Sequence, residues 1–216
     1  MYALLNGLLV LLILSNLVLL GSSRLGTCIR VVALQGGLLG LLPLAMLSGQ
    51  EWARALLLAA FTVALKGCVF PALLLRTMRT ANVRREVEPL VSYPLSFTFG
   101  IAALWLSFWI GGRIPLTHIS TWAPKLILPT ALFTVFTGFF MIAARRKALT
   151  QVLGYLTLEN GIFVLGLVLV GSVHFLVELG VLLDVFVAVF VMGIAIYHLN
   201  REFDHINVDR LSELKG

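Results

Sequence analysis

The 216-residue chain is 60% hydrophobic and 12% charged, with a formal net charge of +6. That charged fraction is about half of what a soluble domain carries, so a water-soluble globule is excluded and lipid is the solvent for most of the chain. The basic residues fall in short clusters between apolar runs, the distribution that orients membrane helices, and no nucleic-acid partner is implied.

A bilayer core about 30 Å thick needs about 20 apolar residues in a helix. Seven stretches qualify, near 2–21, 30–48, 53–75, 93–111, 126–144, 151–171 and 176–198. No alternating strand pattern occurs, so the expected fold is an all-α integral membrane protein of about seven transmembrane helices. The first stretch has no basic segment before it and is too long for a signal-peptide core, so it reads as a retained helix. The second carries a deep polar residue, Gln35, in "LQGGLLG", followed by Gly36 and Gly40 at the spacing that lets two backbones approach. The third carries Lys66 in "LKGCVFP". Pro71 has no N–H for the carbonyl four residues back, that of Gly67, which implies either a wet cavity beside the lysine or a packing kink.

A basic loop, "RTMRTANVRREVEP", then precedes the fourth stretch. The sixth contains "GYLTLENGIFVLGLVLVGS", with Glu159 alone among apolar residues, and the seventh carries Asp184, with Glu178 near its mouth. Cys28 and Cys68 are widely separated and suggest two buried thiols within helices rather than a zinc site or a disulfide framework.

Lysine and arginine set the orientation. Twelve lie in the tail and in the loops after the first, third and fifth helices: Arg24, Arg30, Arg76, Arg79, Arg84, Arg85, Arg145, Arg146, Lys147, Arg201, Arg210 and Lys215. Three, Arg54, Arg113 and Lys125, lie on the opposite side. The N-terminus is therefore expected outside and the C-terminus in the cytoplasm. Trp52, Trp109 and Trp122 then fall at outer ends, where interfacial anchors belong. The expected organisation is a three-helix unit over 1–75, a basic loop with the fourth helix over 76–125, a second three-helix unit over 126–198, and a cytoplasmic tail over 199–216. Aligning Gln35 with Glu159 lays the first unit on the second without a gap, which suggests an internal repeat.

Lys66, Glu159 and Asp184 lie in the central third of the bilayer, each within about 5 Å of its midplane at 1.5 Å rise per residue. A charge at a helix centre costs roughly 2.5–3.5 kcal/mol on insertion scales, so such residues pair or work. Burial disfavours the charged form of an acid or base and a nearby opposite charge favours it. A Lys66–Glu159 pair is thus either a structural lock or part of a proton relay. The candidate proton-transfer residues are Glu159, Asp184, Lys66, Glu178 and Gln35. The chain has no phosphate-binding loop, dinucleotide fingerprint, zinc-protease motif or serine elbow. Its four histidines, His118, His174, His198 and His205, all sit at span ends, in loops or in the tail, unlike paired haem ligands. The chain is expected to perform no covalent chemistry itself and to hold no metal or cofactor.

"GYLTLENGIFVLGL", "LLDVFVAVFVMGI", "ALKGCVFPALLLR" and the tail "INVDRLSELKG" together resemble hydrogenase-4 component E, over most of the chain. That family is a membrane subunit of formate hydrogenlyase-type group 4 [NiFe] hydrogenase complexes. Its last three helices are similar to the K-type subunit of complex I and to the C subunit of Mrp antiporters, in which two helices each carry a buried glutamate used in proton transfer. Glu159 matches the first of these. The second position is held by Asp184 or by Glu178.

The resemblance implies a proton-translocating, non-catalytic subunit of a membrane-bound oxidoreductase complex in a bacterial or archaeal cytoplasmic membrane. Its partners would be antiporter-like membrane subunits, an H-type membrane subunit and a peripheral hydrogenase-like arm. Iron–sulfur clusters and a [NiFe] centre would belong to those partners. The alternatives are a structural adaptor held by a buried Lys–Glu ion pair, or a subunit of a related cation/proton antiporter-type complex.

Overall fold

The computed structural model describes residues 2–45, 56, 59–80, 90–114, 124–145, 148–169 and 193. The described residues are helical with short connections. Helix α1 is Tyr2–Gly21, α2 is Leu25–Ala45, α3 is Ala59–Arg79, α4 is Tyr93–Arg113, α5 is Ile127–Ala144 and α6 is Ala148–Leu169. Five of them, α1 to α5, are long and apolar enough to cross a membrane. The sixth, at 22 residues, is about 33 Å long and carries Glu159. Apart from Gly193, the expected seventh span, with Asp184 and Glu178, lies outside the described residues.

Several boundaries differ from the sequence expectation. Helix α2 begins at Leu25, not near residue 30, because the Arg24 carbonyl accepts the N–H groups of Thr27 and Cys28 at 3.0 and 3.1 Å and starts the first turn. Arg30 is therefore inside the helix, on its exposed side, where its long stem lets the charge reach the interface. Helix α3 continues to Arg79, so Arg76 and Arg79 extend from its last turns rather than from a loop. Cys28 is buried as expected, but Cys68 is exposed on the outer side of α3.

Two larger apolar clusters divide the bundle lengthwise, and a smaller one of Ile13, Leu20, Ala103 and Phe133 joins α1, α4 and α5. One of the larger two joins Leu5, Leu9 and Leu12 of α1 to Leu38, Leu39 and Leu42 of α2, Ile127 and Ala131 of α5, and Val164 and Leu167 of α6. The other joins Leu19 of α1 to Leu25, Ile29 and Val32 of α2, Phe70 and Leu74 of α3, Met141 of α5, and Leu149, Leu153 and Leu156 of α6. On every one of these helices that enters both larger clusters, the stretch between them holds buried polar residues: Ser15 and Asn16, Gln35, Thr134, and Glu159 with Asn160. The outward faces of the helices carry large apolar side chains such as Leu4, Leu14, Val18, Leu34 and Ile101, as lipid contact requires.

Helices α5 and α6 form the tightest pair, an antiparallel hairpin. A Cβ on Gly138 would fall 2.6 Å from the Leu158 Cα and 2.7 Å from the Gly154 carbonyl, so the backbones touch there and only glycine fits. Helix α4 lies at the rim. It turns Ser96, Gly100, Ala103, Ser107 and Gly111 inward, a stripe of small residues that lets it sit close to α1 and α5. Phe99 and Phe140 stack at 4.3 Å between α4 and α5.

Candidate functional site

The site begins with an irregularity in α3. Residues Val63–Val69 wind as a π-helix, with Lys66 in its middle. The Phe70 N–H reaches the Leu65 carbonyl, five residues back. The next donor in that register would be Pro71, which has none. The wide turn is seated on α2: a Cβ on Gly36 would lie 2.6 Å from the Lys66 Cβ and 2.9 Å from its carbonyl oxygen. Gly36 and Gly40 of the G-x-x-x-G pair therefore serve close packing, against Lys66 and Val63 respectively. π-helical turns of this kind occur often at functional sites.

From this turn the Lys66 side chain reaches Glu159 of α6. The Nζ–Oε1 separation is 2.6 Å, and the two residues are 5% and 2% exposed. The ammonium also lies 5.6 Å from the ring centre of Phe163, one turn along α6, close enough for an attraction to the ring face. The two buried charges thus meet.

Gln35 is fully buried beside them and is the hub of a side-chain network. Its Nε2 donates to Ser15 Oγ and to Asn16 Oδ1, both at 2.8 Å. Its Oε1 accepts from Asn160 Nδ2 at 3.2 Å. Asn16 Nδ2 donates in turn to Thr134 Oγ1 at 2.8 Å. The network joins α1, α2, α5 and α6 at the level of the ion pair. In an apolar medium each such group would be costly if left unpaired, so their mutual satisfaction fixes how the helices face one another.

Of the five candidate proton-transfer residues, the structure brings Lys66, Glu159 and Gln35 into one polar layer; Asp184 and Glu178 lie outside the described residues. Sequence reasoning missed Ser15, Asn16, Thr134 and Asn160. The available signal was their polarity within apolar spans, and attention to ionisable groups alone passed over it.

Arg145 lies just past the end of α5, in the connection where the sequence placed it, but its side chain is only 3% exposed. Its Nη2 donates to the Leu20 carbonyl at 3.4 Å, at the C-terminal end of α1, and its guanidinium lies 4.6 Å from the Tyr93 ring centre. A cation there complements the negative end of the helix dipole. On α4, Arg113 lies over the ring of Trp109 at 3.9 Å, and Trp109 is half exposed near the helix end.

No family model matches the chain, and no solved structure matches it. Hydrogenase-4 component E of Escherichia coli K12 is 33% identical over 92 residues, 43% of this chain and 43% of its own. The Shigella flexneri protein of the same name matches to the same extent. This likeness covers less of the chain than the quoted stretches had implied. Uncharacterized protein Rv0085 of Mycobacterium tuberculosis is 32% identical over 207 residues, 94% of this chain and 92% of its own. With nearly the whole length of both chains aligned, this chain belongs to the same family as that mycobacterial protein.

Proposed function

We propose that the chain is a membrane subunit of a complex I-like, hydrogenase-type assembly, and that its Lys66–Glu159 pair takes part in moving protons. The observation that carries this reading is the pair itself, 2.6 Å apart and buried in the polar layer of an otherwise apolar bundle. Ionisable groups at membrane depth mark proton and ion pathways more often than they mark packing. The partial likeness to hydrogenase-4 component E supports the kind of assembly. In this reading the basic ends face the cytoplasm and the chain crosses the cytoplasmic membrane several times. It contacts antiporter-like and H-type membrane subunits and a peripheral arm that holds the redox cofactors. Asp184 or Glu178 supplies the second acid of the relay.

The test is Glu159→Gln in the intact complex, purified by a tag on this chain and reconstituted in vesicles. Proton uptake coupled to the redox reaction is followed with a pH-sensitive dye, and the subunit list by mass spectrometry. The expected result is an assembled complex with proton uptake lost. Full coupling in the assembled variant would remove Glu159 from the relay.

A structural adaptor is the second reading, favoured by the direct contact of the two charges and by the hydrogen-bonded amides beside them. Under it, replacing Lys66 and Glu159 together with apolar residues leaves both assembly and coupling intact.

A further inference from the structure

The hydrogen bonds around Gln35 have a fixed direction. Ser15 Oγ donates its one proton to the Leu12 carbonyl at 2.7 Å, so toward Gln35 it acts as an acceptor. Thr134 Oγ1 donates its one proton to the Thr130 carbonyl at 2.7 Å, so toward Asn16 it also acts as an acceptor. These two hydroxyls turn the amides: Asn16 must present Nδ2 to Thr134 and Oδ1 to Gln35, and Gln35 must present Nε2 to α1 and Oε1 to Asn160. Every link therefore runs from Asn160 toward backbone carbonyls of α1 and α5, and every amide in it uses its N–H groups as hydrogen-bond donors. A carboxylic acid or a water can hand a proton on by exchanging donor and acceptor roles; an amide N–H in such a chain does not.

Gln35 is linked to the ion pair on both sides through neighbouring residues. Its side chain holds Asn160, the chain neighbour of Glu159 on α6. Its own chain neighbour, Gly36, lies against the backbone of Lys66 on α3. One short stretch of α2 thus meets both the chain neighbour of the acid and the backbone of the base. We infer that Gln35 is a positioning residue, which with Gly36 and Asn160 clamps Lys66 against Glu159 and carries no proton itself. The clamp deepens the proton-transfer reading and rests on it for its purpose, while its geometry is testable without it.

The full chain, with 15N-lysine, 13C-glutamate and 13C-glycine, is reconstituted in phosphatidylethanolamine–phosphatidylglycerol bilayers and studied by magic-angle-spinning NMR. The wild-type protein is expected to give a contact between a lysine Nζ and a glutamate Cδ that Lys66→Met abolishes. Gln35→Ala and Asn160→Ala, made separately, are each expected to lose that contact while the signals of the Gly138–Gly154 packing between α5 and α6 stay unchanged. Retention of the contact in either variant would overturn the proposal. So would loss of the packing signals along with the contact in both, because Gln35 would then be general scaffold. Redox-coupled proton uptake by the intact complex separates the two ideas: a Glu159→Gln complex that still takes up protons ends the proton-transfer reading and leaves the clamp standing.

Discussion

The energetics of the Lys66–Glu159 pair yield a quantitative prediction. Unit charges 2.6 Å apart attract by about 6 kcal/mol at an effective dielectric of ~20. Each charge costs roughly 2.5–3.5 kcal/mol to hold at a helix centre, so the two costs offset nearly all of that attraction. The intact pair is then close to neutral for stability. Either single change, Lys66→Met or Glu159→Gln, leaves one charge with its cost of about 3 kcal/mol and no compensation, in line with the penalty for breaking buried pairs elsewhere. The double variant removes both charges and returns to within about 1 kcal/mol of the wild type. The coupling between the sites is therefore about 6 kcal/mol, far above what residues without contact show. Equilibrium unfolding in mixed micelles, with sodium dodecyl sulfate as the denaturant, measures all four corners of this cycle. A double variant as unstable as its two singles added together would refute the reasoning, because it would mean that the two side chains do not share their burial.

Gly36→Val places branched carbon against the Lys66 backbone and is expected to destabilise the chain by about 1–3 kcal/mol, with the lysine–glutamate NMR contact weakened; the same unfolding assay and spectra check it. Asn16→Leu leaves Gln35 Nε2 with one acceptor instead of two and strands the Thr134 hydroxyl's free lone pair, for a loss of about 1–2 kcal/mol; Asn16→Leu combined with Thr134→Val is expected to cost less than the two added together. Arg145→Ala removes the cation from the Leu20 carbonyl and the Tyr93 ring and is expected to lower stability by about 1–3 kcal/mol. Arg145→Lys is expected to recover less than half of that, since an ammonium lacks the planar fork that spans carbonyl and ring; thermal denaturation of the purified protein compares the two.

Composition and depth were enough to make this chain helical and membrane-embedded, and to single out Lys66 and Glu159 as partners. Those inferences need only length along a helix, and a regular rise per residue converts sequence position into height in the bilayer. Which way each helix faces is a different quantity. In water a helix shows its buried side by a stripe of apolar residues, but α1, α2 and α6 are apolar nearly all the way round, so Ser15 or Asn16 reads the same whether it meets lipid or another helix. Packing settles that phase, through the close contacts at Gly36 and Gly138, and it turns four scattered polar residues into one layer. The π-helical turn at Lys66 and the burial of Arg145 were hidden for the same reason: each depends on what a neighbouring helix offers at short range, and no residue spacing within a single helix records that.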